Sequence, residues 1–444
     1  MCKRVFALLA AVVMLGSCGA AHRAESSEKE VSSAAVTSVT TEDTGKAEEP
    51  DVQTQERPEM PMYLTQEDLG GEGSVFYELT GCRYPVYKNT EVSYCPTGEA
   101  FYEALLEELA KAEDFIFMEY FIVKDGQMLN GIMDVLEDRM AAGVEVRLIC
   151  DGFQQNDAFA EAMNSRGINC KLYREADEVS MNRRDHRKLT VIDGKTAFMG
   201  GVNIGDEYIN VEHPYGRWKD AAILLRGEAV RSCTELFFEQ WEGGSKLADC
   251  EKYLDLAEPV TAEGCVQPYG ESPFDGLDSA REIYLEMIRS ADDYLYITAP
   301  YLNIDDEVET ALREAADRGT EVIMIIPGHP DKRYMELVAR KHYLPLIEAG
   351  VQIYKYSPGF IHSKVFVSDD KRATVGSINL NNRSFYLDFE CGAVLTNVSC
   401  IADIKADILS TLEECEQLTA DNVPELTAEE QLELIFYTNI DSML

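Results

Sequence analysis

Apolar residues recur along the first half of the chain at two spacings, one typical of helices and one typical of buried strands. Helical spacing predicts helices at 99–112, 128–140 and around 158–165. Continuous apolar runs predict strands at 115–122, 144–150 and 168–173, and short aromatic runs predict two earlier strands at 76–79 and 84–87. Strands that alternate with helices predict a parallel or mixed sheet covered on both faces.

The second half repeats this order of elements. Helices are predicted at 278–290, 307–318 and 332–348, and strands at 294–299, 321–326 and 351–356. The repetition predicts a duplicated α/β fold, in which two tandem domains, each a mixed sheet flanked by helices, pack with pseudo-twofold symmetry. We place the first domain at 76–250, the second at 251–415, and an acidic C-terminal tail at 416–444.

The beginning of the chain has the pattern of an export signal. Lys3 and Arg4 precede a short apolar run that ends in Leu-Gly-Ser-Cys, which predicts a signal peptide over residues 1–17. The ending resembles the bacterial lipobox, which implies cleavage before Cys18 and a diacylglycerol on its thiol. An ordinary signal peptide with a chance cysteine and an uncleaved anchor are the alternatives. Residues 18–75 are acidic and poor in aromatic residues, so a disordered linker is predicted there.

This beginning predicts a location. A lipid and a flexible linker would hold the catalytic part at the extracytoplasmic face of a bacterial cell membrane, so a membrane surface is an expected partner. The formal net charge of −40 argues against nucleic acid as a partner, because nucleic-acid binding needs a basic surface. No Cys-x-x-Cys pair is present, so a zinc site is not expected. Cys150 and Cys170 lie in predicted core strands and are expected to be buried thiols.

Cations nevertheless cluster at two places in this acidic chain. The first group is Arg183, Arg184, Arg187 and Lys188, and the second is Lys332, Arg333, Arg340 and Lys341. Together they predict a positive mouth on an acidic body, which would reconcile the net charge with an anionic membrane. For the second group, scattered solvated cations are an equally good interpretation.

One stretch of eighteen residues occurs twice. It reads HRKLTVIDGKTAFMGGVN from His186 and HSKVFVSDDKRATVGSIN from His362. Polar residues that cost stability when buried have no reason to recur at fixed spacing in a core. We therefore predict that the two copies form the active site, with these motif residues: His186, Lys188, Asp193, Asn203, His362, Lys364, Asp369 and Asn379.

The residue types indicate phosphoryl chemistry. Two imidazoles brought together by the packing of the halves suit one nucleophile and one general acid. Lys188, Lys364, Asn203 and Asn379 are donors that suit the oxygens of a pentacovalent phosphorus transition state. There they could replace a metal, so no metal and no cofactor is expected.

The acids of the site fall into two kinds. Asp193 lies an odd number of residues after His186 and precedes Gly194, so it is expected to anchor a turn, as is Asp369 in the second copy. Asp220 and Glu390 each open the apolar strand that follows the histidine of their own half. We expect them to orient the imidazoles by binding the ring nitrogen that faces away from the substrate.

The duplicated His-x-Lys motif with its Asp and Gly-x-x-Asn resembles the phospholipase D superfamily, and within it the bacterial cardiolipin synthases. Further resemblance lies in the stretches FIFMEYFIVKDG (115–126), GVEVRLICDGF (143–153) and ITAPYLNIDDE (297–307). It implies two phospholipase D-like domains over about residues 76–415. Asp388 departs from the family pattern, in which Asn is commoner, as do the lipobox-like start and the acidic tail.

The resemblance also implies a reaction. It assigns the catalytic role to the motif residues His186, Lys188, Asp193, His362, Lys364 and Asp369. One phosphatidylglycerol would lose glycerol to form a phosphohistidine, and a second would attack this intermediate to give cardiolipin. We assign His186 as nucleophile and His362 as general acid, by analogy alone. The alternatives are a phospholipase D-type phosphodiesterase that hydrolyses phospholipid or, with less support, nucleic acid, and an inactive lipoprotein that binds lipid headgroups.

Overall fold

The computed structural model describes residues 74–174, 182–242, 250–254, 256–258 and 260–439. The predicted signal peptide, Cys18 and nearly all of the predicted linker lie outside the described residues. The helices are α1 Ser74–Leu79, α2 Gly98–Leu109, α3 Gln127–Ala141, α4 Asp157–Ser165, α5 Val230–Trp241, α6 Ser279–Arg289, α7 Asp306–Asp317, α8 Arg333–Glu348, α9 Asn382–Tyr386, α10 Ile401–Leu412 and α11 Ala428–Asn439.

The strands form two large mixed sheets. In the first half they are β1 Thr90–Cys95, β2 Phe115–Tyr120, β3 Glu145–Asp151, β4 Asn169–Tyr173, β5 Lys188–Ile192, β6 Thr196–Gly200, β7 Arg217–Lys219 and β8 Ala222–Gly227. In the second half they are β9 Cys265–Glu271, β10 Tyr294–Thr298, β11 Glu321–Pro327, β12 Gln352–Tyr356, β13 Gly359–Ile361, β14 Val365–Ser368, β15 Arg372–Gly376, β16 Glu390–Thr396 and β17 Cys415–Leu418.

The strand order repeats between the halves. The first sheet has the order β1-β8-β6-β5-β2-β3-β4, and the second has β17-β12-β11-β10-β14-β15-β16-β9. In each sheet three consecutive strands pair in parallel, β2-β3-β4 and β10-β11-β12, and the strand that follows the motif histidine pairs antiparallel to the first of them. The predicted mixed α/β class is confirmed.

Local sequence explains why these elements form. In α2 the side chain of Thr97 accepts the N–H of Ala100 at the helix start, and Phe101, Leu105 and Leu109 recur every fourth residue and are buried. In β2 every residue is buried because helices α2 and α3 cover one face of its sheet and helix α5, with Phe237 and Phe238, covers the other.

The two sheets contact each other through strands near the edge that β1 forms in the first sheet and β9 forms in the second. Strands β6 and β8 of the first sheet contact β15 and β16 of the second. One hydrophobic core spans this contact and includes Leu189 and Ile223 from the first half and Val375 and Val394 from the second. The packing brings the beginnings of β5 and β14, and with them the two motifs, to a common interface.

The predicted helices and strands between 99 and 173 and between 278 and 356 are present, displaced by a few residues at their ends. Two predictions near the start are wrong. Residues 76–79 belong to helix α1, because Phe76 and Thr80 are buried at helical spacing. Residues 84–87 form no strand, and Tyr87 makes only an isolated bridge to Val266, since Pro85 lacks an N–H.

The predicted tail contains two ordered elements. Strand β17 extends into the tail and pairs antiparallel with β12, so the second sheet continues beyond residue 415. Helix α11 packs against α8, where Glu433 and Glu430 form ion pairs with Arg333 and Arg340. The acidic residues of this tail therefore neutralise part of the second predicted cationic group. None of the helices formed by the described residues has the length and apolar content needed to cross a bilayer.

Candidate active site

The two motif histidines lie just before equivalent strands at the interface between the halves. His186 precedes β5 by two residues, and His362 precedes β14 by three. Their exposed fractions are 8% and 7%, so each imidazole is nearly enclosed yet reachable from one side. Aromatic rings surround them: Phe121 packs on His186, and Tyr208 and Trp218 pack on His362.

Each histidine is held by a carboxylate of the other half. Nδ1 of His186 lies 2.9 Å from both carboxylate oxygens of Glu390, and Nδ1 of His362 lies 2.6 Å from Oδ2 of Asp220. The structure brings both predicted acids to the imidazoles, but the expectation that each acid orients the histidine of its own half is wrong. The starts of β8 and β16 pair with the Gly-x-x-Asn ends of their own repeated stretches, while the carboxylates of Asp220 and Glu390 extend across the interface to the histidine of the other half.

Backbone hydrogen bonds enforce this crossed pairing. The N–H of His186 donates to the carbonyl of Phe389 at 2.9 Å, and the N–H of His362 donates to the carbonyl of Lys219 at 2.6 Å. Phe389 and Lys219 directly precede the two acids. Strands β7 and β13, one from each half, also pair in parallel. The main chain therefore fixes each acid opposite the histidine that it binds.

Burial and neighbouring cations keep both imidazoles neutral. Burial, with Lys188 and Lys364 adding to it, holds the pKa of His186 well below its usual value. Burial and the charge of Lys364 lower the pKa of His362 to about 4, although Asp220 opposes the shift. Each lysine affects the histidine of the other half, so the four motif side chains share one electrostatic site.

The two orienting acids differ in charge. Burial raises the pKa of Glu390 to about 7, against the opposing effect of Lys188 and of hydroxyl donors. Burial would also raise the pKa of Asp220, but the combined effects of His362, Lys364 and the N–H of Ala221 hold it below its usual value. His362 therefore faces an ionised carboxylate, whereas His186 faces a carboxyl group that is near half-protonation at neutral pH.

Each motif lysine is buried beside the histidine of its own half. Nζ of Lys188 donates to the carbonyl of His186, and Nζ of Lys364 donates to the carbonyl of His362. Burial lowers the pKa of Lys188 to about 8 and that of Lys364 to about 7. Each lysine is therefore only partly deprotonated near neutral pH. An anion bound between the histidines would favour its charged form.

The motif asparagines have different surroundings. Oδ1 of Asn203 accepts the N–H of Ile122 at 2.9 Å, and its Nδ2 donates to the hydroxyl of Tyr208 at 2.7 Å. Asn379 is buried, and its Oδ1 has no hydrogen-bond partner among the described residues. Asn203 thus has a structural role in joining β2 to the motif, and one donor hydrogen of its amide remains for a ligand.

Both motif aspartates anchor turns away from the imidazoles. The carboxylate of Asp193 accepts the N–H groups of Glu113, Asp114 and Phe115 at 2.8 Å. In the second half, Asp369 accepts the N–H groups of the three residues at 292–294 at 2.9–3.0 Å. Both aspartates have a positive φ, 53° and 55°, as the residue at a tight turn requires. Neither touches a histidine.

Several site residues were not predicted from the sequence. The hydroxyl of Ser384 donates to Oε1 of Glu390 at 2.6 Å, and that of Ser377 donates to Oε2. Ser377 follows Gly376 inside the repeated stretch, which is a usable signal, but Ser384 lies outside it. Asp388, the departure from the family pattern, accepts hydrogen bonds from Arg383 and from the N–H of Arg184.

The first predicted cationic group is only partly at the surface. Arg187 is 1% exposed and donates to the carbonyls of Leu236 and Glu390, and Lys188 is also buried. The prediction that these two residues belong to an exposed positive mouth is therefore wrong, because Arg187 donates across the interface to Glu390 and Lys188 donates to the carbonyl of His186. The guanidinium groups of Arg183 and Arg184 lie over the rings of Phe274 and Phe153 instead.

Comparison with known proteins agrees with this geometry. Residues 105–227 and 284–412 match the family described as cardiolipin synthase, phospholipase D-like domain. A Streptococcus mutans protein without an assigned function is 42% identical over 76% of this chain and 75% of its own length. A cardiolipin synthase of Alkalihalophilus pseudofirmus is 32% identical over 79% of this chain and 72% of its own length.

The fold has a solved counterpart. The crystal structure of a phosphatidylserine synthase from Haemophilus influenzae aligns with a TM-score of 0.63, at 15% identity, over 80% of this chain and 95% of the other. Each copy of the repeated stretch lies within one of the two regions that match the family. Both histidines lie at the interface between the two halves. The chain therefore belongs to the phospholipase D superfamily and is a phosphatidyltransferase. Within that superfamily it belongs to the family described as cardiolipin synthase, phospholipase D-like domain.

Proposed function

We propose that the chain transfers a phosphatidyl group between two phosphatidylglycerol molecules, giving cardiolipin and glycerol. The observation that supports this most is the crossed pairing of the two histidines with Glu390 and Asp220. Both Nδ1 atoms are occupied by carboxyl groups, so both Nε2 atoms are left for the substrate. Two such imidazoles suit a reaction in which one forms a bond to phosphorus while the other handles the proton of the alcohol.

In the first step Nε2 of His186 attacks phosphorus, and the bond from phosphorus to the glycerol oxygen breaks. His362 donates its Nε2 proton to that oxygen, and glycerol leaves. In the second step a hydroxyl of another phosphatidylglycerol gives its proton to His362 and attacks phosphorus. The phosphorus–nitrogen bond breaks, so that cardiolipin is released and both histidines return to their starting state.

The difference between the two acids supports this assignment of roles. A general acid must carry a proton, and the ionised carboxylate of Asp220 stabilises an imidazolium at His362. A nucleophile must be neutral, and the raised pKa of Glu390 provides less stabilisation for an imidazolium at His186. The phosphodiester anion offsets the nearby lysine charges, which raises the pKa of His362 when substrate binds and supplies the protonated acid.

The lysines and asparagines would bind the phosphoryl oxygens. Lys188 and Lys364 reach the site from both halves, and their charge balances the extra negative charge of the transition state. Phosphatidylglycerol and other membrane phospholipids are the proposed substrates. No step in this proposal requires a group that the chain itself does not provide.

A second candidate is hydrolysis by the same residues. Water in place of the second alcohol would convert the phosphohistidine to phosphatidic acid. Product analysis with the purified full-length protein and labelled phosphatidylglycerol separates the two activities. Cardiolipin and glycerol in equal amounts support transfer, whereas phosphatidic acid as the only lipid product would contradict it.

For the location we propose attachment to the extracytoplasmic face of the cell membrane through a lipid on Cys18. The Leu-Gly-Ser-Cys ending of the apolar run supports this. The acidic residues 18–75 would then act as a tether that lets the catalytic part reach lipids in the same leaflet. The substrate would come from that leaflet.

A further inference from the structure

Exposed aromatic side chains are few on this protein, and they are unevenly placed. Among the residues that the structure describes, four aromatic side chains are 37% to 60% exposed: Phe153, Tyr215, Phe274 and Tyr386. A ring left in water gives up the free energy of burial, and rings that share one surface indicate a partner that covers them.

All four rings lie on connections at one edge of the two sheets, which we call the catalytic edge. The motif histidines precede β5 and β14, so the antiparallel neighbours β6 and β15 end at the edge where the histidines lie. Strand β3 ends there because it is parallel to β2, which is antiparallel to β5. Strand β9 also ends there, since Glu271 pairs with Glu390 at the start of β16. The rings follow these strands: Phe153 after β3, Tyr215 after β6, Phe274 after β9 and Tyr386 after β15.

Two of the exposed rings are linked to the site through one further ring. Phe274 contacts Phe389, with centroids 5.7 Å apart, and the carbonyl of Phe389 accepts the N–H of His186. Tyr215 contacts Phe360 at 6.1 Å, and Phe360 contacts the motif imidazole of the second half at 5.9 Å. The exposed rings therefore flank the site on both halves of the chain without occupying it.

Positive charge accompanies the rings at the catalytic edge. The guanidinium of Arg184 lies over the ring of Phe153, 4.1 Å from its centroid, and that of Arg183 lies over the ring of Phe274 at 4.5 Å. Lys332, which directly precedes α8 at the same edge, is also exposed. Aromatic rings with cations beside them suit the headgroup region of a membrane, where the ring meets acyl chains and the cation meets phosphate.

The opposite edge of the sheets has a different character. The motif aspartates anchor turns there, and the exposed side chains beside them include the carboxylates of Glu113, Asp114, Asp292 and Asp293. An anionic membrane repels such carboxylates. At the catalytic edge, Asp151 and Asp388, whose charges act on Arg184, are both buried. The rings and the charges therefore favour the same orientation, with the catalytic edge toward the membrane.

We infer that the catalytic edge is a membrane-binding surface, whose four exposed rings enter the boundary between headgroups and acyl chains of an anionic phospholipid bilayer. This rests on the proposed function, in which the acyl chains of the substrates stay in the bilayer while phosphorus must reach His186. The surface orients the catalytic part so that a headgroup enters the site without the lipid leaving the membrane. A lipid on Cys18 would tether the protein but would not orient it.

The test compares a bilayer substrate with a monomeric one. The full-length protein carries Cys18→Ser in every sample, so that the proposed lipid is absent. It acts on phosphatidylglycerol vesicles, or on dihexanoyl-phosphatidylglycerol below its critical micelle concentration, and mass spectrometry measures the transfer product. Phe153→Ser combined with Phe274→Ser should lower the activity on vesicles about ten-fold or more, because the membrane no longer buries these rings. The activity on the monomeric lipid should stay unchanged.

Leu256→Ser is the matched control, because this exposed apolar side chain lies beside Gly194 at the opposite edge. It should leave both activities unchanged. Tyr215→Ser tests the other half of the surface and should lower only the activity on vesicles. An equal loss on both substrates in the double variant, or no loss on vesicles, would overturn the inference.

A second measurement does not depend on turnover. Phe153→Trp should place an indole in the membrane, so phosphatidylglycerol vesicles with brominated acyl chains should quench the fluorescence that this variant adds to that of the unsubstituted protein. Leu256→Trp should not be quenched. Equal quenching of both variants, or quenching of neither, would contradict the inference. Quenching of Phe153→Trp alone, in a protein that makes no transfer product from either lipid, would instead overturn the proposed function and leave the membrane-binding surface supported.

Discussion

Nδ1 of His186 lies 2.9 Å from both carboxylate oxygens of Glu390, a residue 204 positions further along the chain. The equivalent contact in the other direction joins His362 to Asp220 at 2.6 Å. Neither half of the chain therefore contains a complete histidine–acid pair. Catalysis depends on the interface between the sheets as much as on the motifs themselves.

The two histidines are expected to respond differently to the leaving group. His186→Ala removes the proposed nucleophile and should lower the rate about a thousand-fold or more with every substrate. His362→Ala should be equally damaging with phosphatidylglycerol but much less so with phosphatidyl-p-nitrophenol, because nitrophenolate leaves without a proton. Release of nitrophenolate in a stopped-flow instrument measures the difference. A covalent phosphatidyl group trapped on His362 would reverse the assignment.

A substitution of either orienting acid should have the same kind of effect as a substitution of the histidine to which that acid is hydrogen-bonded. Asp220→Asn is expected to behave like a weak form of His362→Ala, so the activated leaving group should restore most of its rate. Glu390→Gln is expected to slow the attack on both substrates, by about ten-fold to a hundred-fold, because the imidazole loses its fixed orientation. Restoration by the activated substrate in Glu390→Gln, and not in Asp220→Asn, would show that the acids act on the histidines of their own halves.

The pH dependence of kcat/KM should be bell-shaped near neutrality. Glu390, with a pKa raised to about 7 by burial, ionises as the pH rises and then orients His186 better, which gives the acidic limb. Lys364 and Lys188, with pKa values lowered by burial to about 7 and about 8, lose their charge as the pH rises further, which gives the basic limb.

Two variants assign these limbs. Glu390→Gln should remove the acidic limb only, since an amide does not titrate. Lys364→Arg should move only the basic limb. That limb should shift to higher pH, toward the pKa of Lys188, because a guanidinium stays charged. The limb positions are read from the pH profile and do not depend on the absolute rate. A basic limb that stays in place in Lys364→Arg would exclude that lysine as its source.

The motif aspartates should affect stability unequally. Asp193→Ala removes the acceptor of three N–H groups at the buried start of β2, and should cost on the order of 2 kcal/mol or more in the free energy of unfolding. Asp369→Ala is the matched variant, and a smaller cost is expected because the carboxylate of Asp369 is half-buried whereas that of Asp193 is buried. Urea unfolding midpoints compare the two. Equal losses would contradict this explanation.

Membrane attachment can be separated from catalysis. Cys18→Ser should release the protein from the membrane fraction of a bacterial host, because the thiol that would receive the diacylglycerol is gone. The purified variant should keep its activity on mixed micelles, since the catalytic residues lie far along the chain. Cell fractionation followed by immunoblotting gives the result, and a variant that remains entirely membrane-bound would point to an uncleaved anchor.

Much of the fold follows from local sequence, because helices and strands with strong periodicity form where that periodicity lies. The run at 76–79 was assigned wrongly because a stretch of four residues, three of them aromatic or apolar, fits either a strand or one turn of helix. Helix α11 was not predicted because its contacts are made with α8, such as the ion pair of Arg333 with Glu433 and the ring contact of Tyr334 with Tyr437, and local sequence does not contain them.

The candidate site was predictable only in part. The repeated stretch identifies His186 and His362, and the strands that follow identify Asp220 and Glu390 as acids at strand starts. Which acid faces which histidine depends on how two sheets stack, and no periodicity within one half encodes that. The hydroxyl of Ser384 reaches Glu390 through the same tertiary packing. The repeated stretches therefore could not predict this hydrogen bond.

The crossed pairing has a consequence for how such a site can change over time. In a dimer of identical single-domain chains, both histidines would face copies of one acid, and no substitution could alter one without the other. Here both halves belong to one chain, so the acid opposite each histidine mutates independently, and an aspartate now stands in one place and a glutamate in the other. Duplication within a single gene thus allows an initially symmetrical pair of residues to divide the work of nucleophile and acid.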